Sequence, residues 1–497
     1  MTEAVSQAGR GPAEPFRPVW IFVGLTLAIS IQFVPRPDEL SPQAWLVVSL
    51  VALMVTWWVS EAIPIAATAL LPLVFLPVSG IADIGAAAAP YADRTIMLLL
   101  GGFIIAKSVE RWDLHERIAL NIVARVGASP RALVGGFMAA SAAISMWISN
   151  TATTMMLVPI ALSVSAAMMK KGERGAPFTV ALILGVAYSA SIGGLGTLIG
   201  SPTNVIVVSN LETLLGVTIT FQQWMMLGTP VVLMMIPCVW FVLTRMGGDL
   251  SRGLDGEKTG AEIIASRLAN LGRITAPELR VAIVFATVAF CWIFRDALLV
   301  NIDIGGIKPF SGLTDHVIAI AGAIALFMIP SGSKKEKGSA LLDWRTAEQI
   351  PWGALILFGG GISMATAVSS TGLADWLGQS MMGVTALPPL VIVLAITTFV
   401  IFATELTSNV ATATTVMPIV AALAVASGID PVILAAPVAM AASCAFMLPV
   451  GTAPNAIVYA TGHVSIPQMA RMGLMINFVG IAIITGACYL LTPLIFG

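Results

Sequence analysis

Two short stretches hold the residue types able to do chemistry, and they are copies of one another. The first is Ser149-Asn150-Thr151-Ala152-Thr153-Thr154-Met155-Met156-Leu157-Val158-Pro159-Ile160. The second is Ser408-Asn409-Val410-Ala411-Thr412-Ala413-Thr414-Thr415-Val416-Met417-Pro418-Ile419. A second pair follows at matching places: Gly200-Ser201-Pro202-Thr203-Asn204 and Gly451-Thr452-Ala453-Pro454-Asn455. Serine and threonine hydroxyls and the asparagine carbonyl are hard oxygen ligands for a small cation. Ser145, Ser149 and Asn150 supply them in one half, and Thr404, Thr407 and Asn409 in the other. The asparagine NH2 and the hydroxyls of Thr151, Ser201 and Thr452 can donate to carboxylate or sulfate oxygens.

No Lys or Arg lies in any of the four stretches. A doubly charged anion at membrane depth needs more compensation than helix dipoles of about half a charge provide. Bound cations would supply it, which points to sodium coupling. A single Ser-Asn-Thr ahead of an apolar helix is ordinarily an N-cap. Two copies in register, each with a Gly/Pro break behind it, are instead the pattern of a transporter binding site.

The elements around these stretches are apolar. The chain has 497 residues, 58% of them hydrophobic and 10% charged, with mean hydropathy +0.94. Apolar runs of about 20 residues, the length that crosses a bilayer, recur along nearly all of it, which excludes a soluble enzyme. The net charge of -1 offers nothing to nucleic acid. Cys238, Cys291, Cys444 and Cys488 are scattered through apolar runs, and His115, His316 and His463 are far apart. Neither a disulfide framework nor a zinc or iron site has support.

Polar backbone at membrane depth is tolerated only where protein covers it or where it lines a water-filled cavity. A re-entrant hairpin with the Ser-Asn pair at its point meets that condition. The expected arms are 131–169 and 388–427, each followed by a broken helix, 178–208 and 432–461. A tip of this kind pairs free carbonyls at the end of one arm with free N–H groups at the start of the next. One tip can therefore face a cation and an anion together.

Residues 1–17 read as a cytoplasmic tail, 18–126 as scaffold helices with an amphipathic interfacial helix from Glu110 to Val126, and 127–244 as the first half of a transport unit. A cytoplasmic connector, 245–280, precedes scaffold helices 281–386 and the second transport half, 387–497. Lys and Arg fall almost entirely on one side of this walk, so the positive-inside rule puts the N-terminus in the cytoplasm. Arg125, Arg131, Lys170, Lys171 and Arg174 flank the first hairpin, whereas no Lys or Arg lies between Arg345 and Arg471. The two hairpins then open to opposite faces, an inverted-topology repeat. Glu405, beside the second tip, is an intramembrane acid and a functional candidate. Gly101-Gly102 and Gly359-Gly360-Gly361 read as close helix packing, and Glu61 as an interfacial residue.

These residues resemble the divalent anion:sodium symporter family, whose INDY-like members carry dicarboxylates, citrate or sulfate. The likeness covers nearly the whole chain. It rests on Trp57-Trp58 through Glu61-Ala62-Ile63-Pro64, the two Ser-Asn stretches with Pro ten residues on, and the two Gly-to-Asn breaks. It implies an all-α homodimer in a bacterial inner membrane, with about 11 transmembrane helices per protomer plus the two hairpins. It also implies a transport domain that slides as an elevator along a scaffold. Sodium would sit at Ser145, Ser149, Asn150 and Gly200, and at Thr404, Thr407, Asn409 and Gly451. Substrate would meet Asn150, Thr151, Ser201, Asn409 and Thr452. Val410 stands where many members have threonine, which leaves the grip on one end of the substrate open. The expected activity is sodium-coupled symport of succinate, malate or fumarate; the alternatives on the same fold are sodium-independent dicarboxylate exchange and sulfate or citrate transport.

Overall fold

The computed structural model describes residues 17–127, 129–169, 176–252, 260–303, 308–380, 383 and 387–496. Residues 1–16 of the expected tail and the flanking Lys170, Lys171 and Arg174 lie outside them. Among the described residues the chain is helical and has no strand; an isolated bridge joins Pro330 and Ala340. Among the described residues, eight helices are long and apolar enough to cross a membrane, and five shorter apolar helices accompany them.

Local chemistry sets the helix boundaries. Pro130–Ser145 opens on Ser129, which caps the Ala132 N–H, with Pro at the first turn where its missing N–H costs nothing. Phe221–Arg245 and Ala276–Phe294 each open on a capping box, Thr220 with Gln223 and Thr275 with Glu278. Gly216 ends Pro202–Leu215 and Gly428 ends Asn409–Ser427, both in the left-handed region that a side chain resists.

The helix Pro177–Gly193 stands at the centre, with every residue from Phe178 to Gly193 buried. It has no polar stripe because it has no solvent or lipid face. Pro130–Ser145, Asn150–Met168 and Phe221–Arg245 pack around it. Pro18–Ile31 and Ala276–Phe294 instead leave apolar side chains such as Phe22, Ile29, Ile283 and Phe290 exposed at the periphery, a face suited to lipid.

The two halves interlock reciprocally. Pro202–Leu215, which follows the first break, packs on Asn409–Ser427 of the second hairpin. Ala453–Ala460, which follows the second break, packs on Asn150–Met168 of the first. The glycine runs are packing positions, as read from the sequence. A Cβ on Gly101 would stand 2.6 Å from the Ala319 carbonyl carbon, and one on Gly360 would stand 2.2 Å from Ala69 O.

Several boundaries differ from the sequence reading. The helix Arg94–Arg111 continues through Glu110, so Lys107 and Arg111 belong to it; the amphipathic helix is Leu114–Val126. Asp113, at φ 52, makes the kink between them. The first segment of the second broken helix stops at Ala442, and the backbone N–H groups of Phe446, Met447 and Leu448 beyond it turn to a buried carboxylate, as described below. Within the expected connector, Gly260–Leu271 is helical and Ala276–Phe294 has already begun.

Candidate functional site

Each Ser-Asn pair sits at the tip of a helical hairpin. Ser149 Oγ accepts the Ala152 N–H and Ser408 Oγ accepts the Ala411 N–H, so both serines are N-caps. The caps leave the first-turn amides of Asn150, Thr151, Asn409 and Val410 to residues that line one cavity.

The asparagine beside each cap turns back into the hairpin. One end of the Asn150 amide lies 2.6 Å from Ser145 Oγ, 3.1 Å from Ala190 O and 3.2 Å from Gly200 O. The corresponding end of Asn409 lies 2.9 Å from Thr404 Oγ1, 3.0 Å from Ala442 O and 3.2 Å from Gly451 O. With nitrogen at that end the amide donates to the oxygens around it. With oxygen there, four oxygens converge and only a hydroxyl proton stands among them. A bound cation would neutralise that arrangement. Two oxygen rings of matching composition, each centred on one end of an asparagine amide, thus stand beside the cavity.

The breaks behind the tips are held in matching ways. Asn204 Nδ2 donates to Gly194 O at 2.8 Å and Thr197 O at 2.7 Å. Asn455 Nδ2 donates to Ala445 O at 2.9 Å and Leu448 O at 3.0 Å. Each asparagine replaces the helical partners that the unwound carbonyls lack. The two breaks meet through a triangle of buried hydroxyls: Ser443 Oγ lies 2.9 Å from Ser201 Oγ and 2.7 Å from Thr203 Oγ1, which are themselves 2.9 Å apart.

The cavity, about 820 Å³, is lined by Asn150, Thr151, Ser201, Asn409 and Thr452, the set expected to meet substrate, and by Val410. Ser145 and Thr404 are fully buried behind it in the oxygen rings. Ser149 and Thr407 line the cavity, but their hydroxyls are engaged elsewhere: Ser149 caps its helix, and Thr407 Oγ1 lies 2.5 Å from Thr412 Oγ1. The main-chain oxygens of Ala190 and Ala442 and the hydroxyl of Ser443 escaped the sequence reading. Alanine carbonyls leave no side-chain signal; the only pointers were the glycine-rich break after Ala190 and a lone serine in an apolar run.

Glu405 pairs locally. Its carboxylate accepts the N–H groups of Phe446 and Met447 at 2.8 and 2.9 Å, Leu448 N–H at 3.1 Å and the Asn477 amide at 2.8 Å. It stands one residue from Thr404 and fixes the path of the second break. Glu61, read as interfacial, lines the cavity together with Arg17, Lys107 and Glu110.

Two helical hairpins and two broken helices around one cavity, inside a multi-pass apolar bundle, define a membrane transporter. Residues 18–496 match the model of the sodium:sulfate symporter transmembrane region. The chain belongs to that family. It is 41% identical over 485 residues to the sodium-dependent dicarboxylate transporter SdcS of Staphylococcus saprophyticus, covering 96% of this chain and 92% of that protein. It is 40% identical over 468 residues to SdcS of Staphylococcus aureus strain USA300, covering 93% and 88%. In fold it resembles the YdaH transporter of Alcanivorax borkumensis, with a TM-score of 0.59 at 16% identity over 91% of this chain and 99% of that one. Neisseria gonorrhoeae MtrF gives a TM-score of 0.57 at 14% identity, covering 93% and 96%.

Proposed function

We propose that this protein couples the movement of sodium to that of a small dicarboxylate, such as succinate, malate or fumarate, across a bacterial inner membrane. The observation that carries this reading is the pair of neutral oxygen rings around Asn150 and Asn409, set on either side of one cavity whose tips hold no fixed positive charge. Sodium in the rings offsets the dianion, and the first-turn amides and the hydroxyls of Thr151, Ser201 and Thr452 take its oxygens. The relatives named for sodium-dependent dicarboxylate transport support the same choice of ion and substrate.

In this reading the hairpins are re-entrant and enter from opposite faces, and the N-terminus is cytoplasmic. The protomer has about 11 spans and pairs as a homodimer. Residues 127–244 and 387–497 slide as an elevator against 18–126 and 281–386. The salt bridge between Arg94, on Arg94–Arg111, and Glu212, on Pro202–Leu215, joins the two groups and would break as they slide.

Uptake of labelled succinate into proteoliposomes, with and without an inward sodium gradient, tests the proposal. Sodium-dependent uptake is the expected result, and uptake that needs internal dicarboxylate but no sodium overturns the coupling. One observation favours that second reading, a sodium-independent exchanger: with nitrogen inward, each asparagine satisfies its ring without an ion. Competition by sulfate and citrate ranks the remaining anions.

A further inference from the structure

One wall of the cavity carries charge that the tips lack. Phe103, Ala106, Lys107 and Glu110 of the helix Arg94–Arg111 all line it. Their spacing of 0, 3, 4 and 7 places them on one helical face. Gly102 seats this helix against the first break, since a Cβ there would stand 3.1 Å from Ile199 Cγ2. Ile199, beside Gly200, lines the cavity as well. Lys107 is five residues further on, about 7.5 Å along the axis. Its flexible four-carbon stem can carry the ammonium over part of that distance.

Among the described residues, the charged groups lining the cavity are Arg17, Glu61, Lys107 and Glu110, two of each sign. Arg17 is committed to the main chain, donating to Ser60 O at 2.8 Å. Lys107 Nζ lies 2.5 Å from Glu110 Oε2, and the two side chains are 25% and 22% exposed. A partly hydrated pair of this kind holds its partners loosely. A lysine that merely snorkelled would carry its ammonium to the membrane surface; this one borders the substrate cavity.

We propose that Lys107 reads the charge of the substrate: when a divalent anion enters, the ammonium exchanges Glu110 for an anionic oxygen, and Glu110 recovers it when the anion leaves. This rests on the anion-transport reading above and deepens it. The lysine favours divalent over monovalent anions, and Glu110 keeps it from holding the anion too long.

The test is succinate uptake by proteoliposomes carrying wild type, Lys107→Met, Lys107→Arg and Glu110→Gln. Lys107→Met should raise KM for succinate about tenfold, with a smaller change in inhibition by the monoanion monomethyl succinate. Lys107→Arg should keep KM near wild type. Glu110→Gln should lower KM about threefold. Thermal stabilisation by sodium alone, which does not involve Lys107, should persist in all three variants. An unchanged KM in Lys107→Met overturns the proposal, as does a rise in KM in Glu110→Gln equal to that in Lys107→Met, which would mark the pair as structural. A wild type that carries sulfate but not succinate moves the same comparison to sulfate. A wild type that carries neither overturns the transport reading, and this inference with it.

Discussion

Glu405 Oε1 accepts a hydrogen bond from Asn477 Nδ2 at 2.8 Å, tying the tip of the second hairpin to the last long helix, Ile466–Phe496. The same carboxylate gathers three successive backbone N–H groups of the break after Ala442. Tyr188 Oη, from the central helix, donates to Phe446 O at 2.8 Å and fixes the break from its other side. The first half solves the same problem without an acid: Thr197 Oγ1 donates to Met146 O and accepts the Gly200 N–H.

Replacing Glu405 by Ala leaves the buried Phe446 N–H and Asn477 amide without an acceptor, at a cost of about 3 kcal/mol. Glu405→Gln keeps the shape but loses the charge-assisted bonds, and should fall between Ala and wild type. Thermal unfolding of purified protein in detergent orders the three. Sodium-driven uptake should fall with stability, because Gly451 O belongs to the second oxygen ring.

Asn150→Ala and Asn409→Ala each remove one oxygen from a ring and should abolish sodium-dependent uptake while the protein stays folded. Normal transport by both variants sinks the site assignment. Asn150→Asp is the sharper probe, since it forces a carboxylate oxygen against Ala190 O and Gly200 O. Its melting temperature should drop in sodium-free buffer and recover on adding sodium, whereas a purely structural asparagine predicts a loss that sodium does not repair.

The hydroxyl triangle predicts a role for Ser443. Ser443→Ala removes a partner from Ser201 and Thr203, loosening a cavity-lining hydroxyl by about 1 kcal/mol. Succinate KM should rise about fivefold, with the sodium dependence unchanged. A shift in sodium dependence instead would place Ser443 with the cation rings.

Val410 lines the cavity and packs its apolar side chain against neighbours on two sides. Val410→Thr adds a donor at the second tip in the place Thr151 holds at the first. The inhibition profile among succinate, malate, citrate and sulfate should change, and an unaltered profile counts against any part for Val410 in recognition.

Much of the architecture was legible in the chain because membrane burial leaves a one-dimensional trace. Long apolar runs, proline and glycine at helix limits and polar residues inside apolar runs follow from local rules of hydration and capping. The register between Ser149 and Ser408, and between Gly200 and Gly451, marked the repeat and the residues that line the cavity. The convergence of Asn150 with Ala190 O, and of Asn409 with Ala442 O, was not legible, because a main-chain carbonyl has the same sequence signature in every residue. Nor could the chain say that Glu405 turns into protein, that Ser443 meets Ser201 across the two halves, or that Lys107 borders the cavity. Those facts join residues far apart in sequence, and only the packing of the helices brings them within reach of one another.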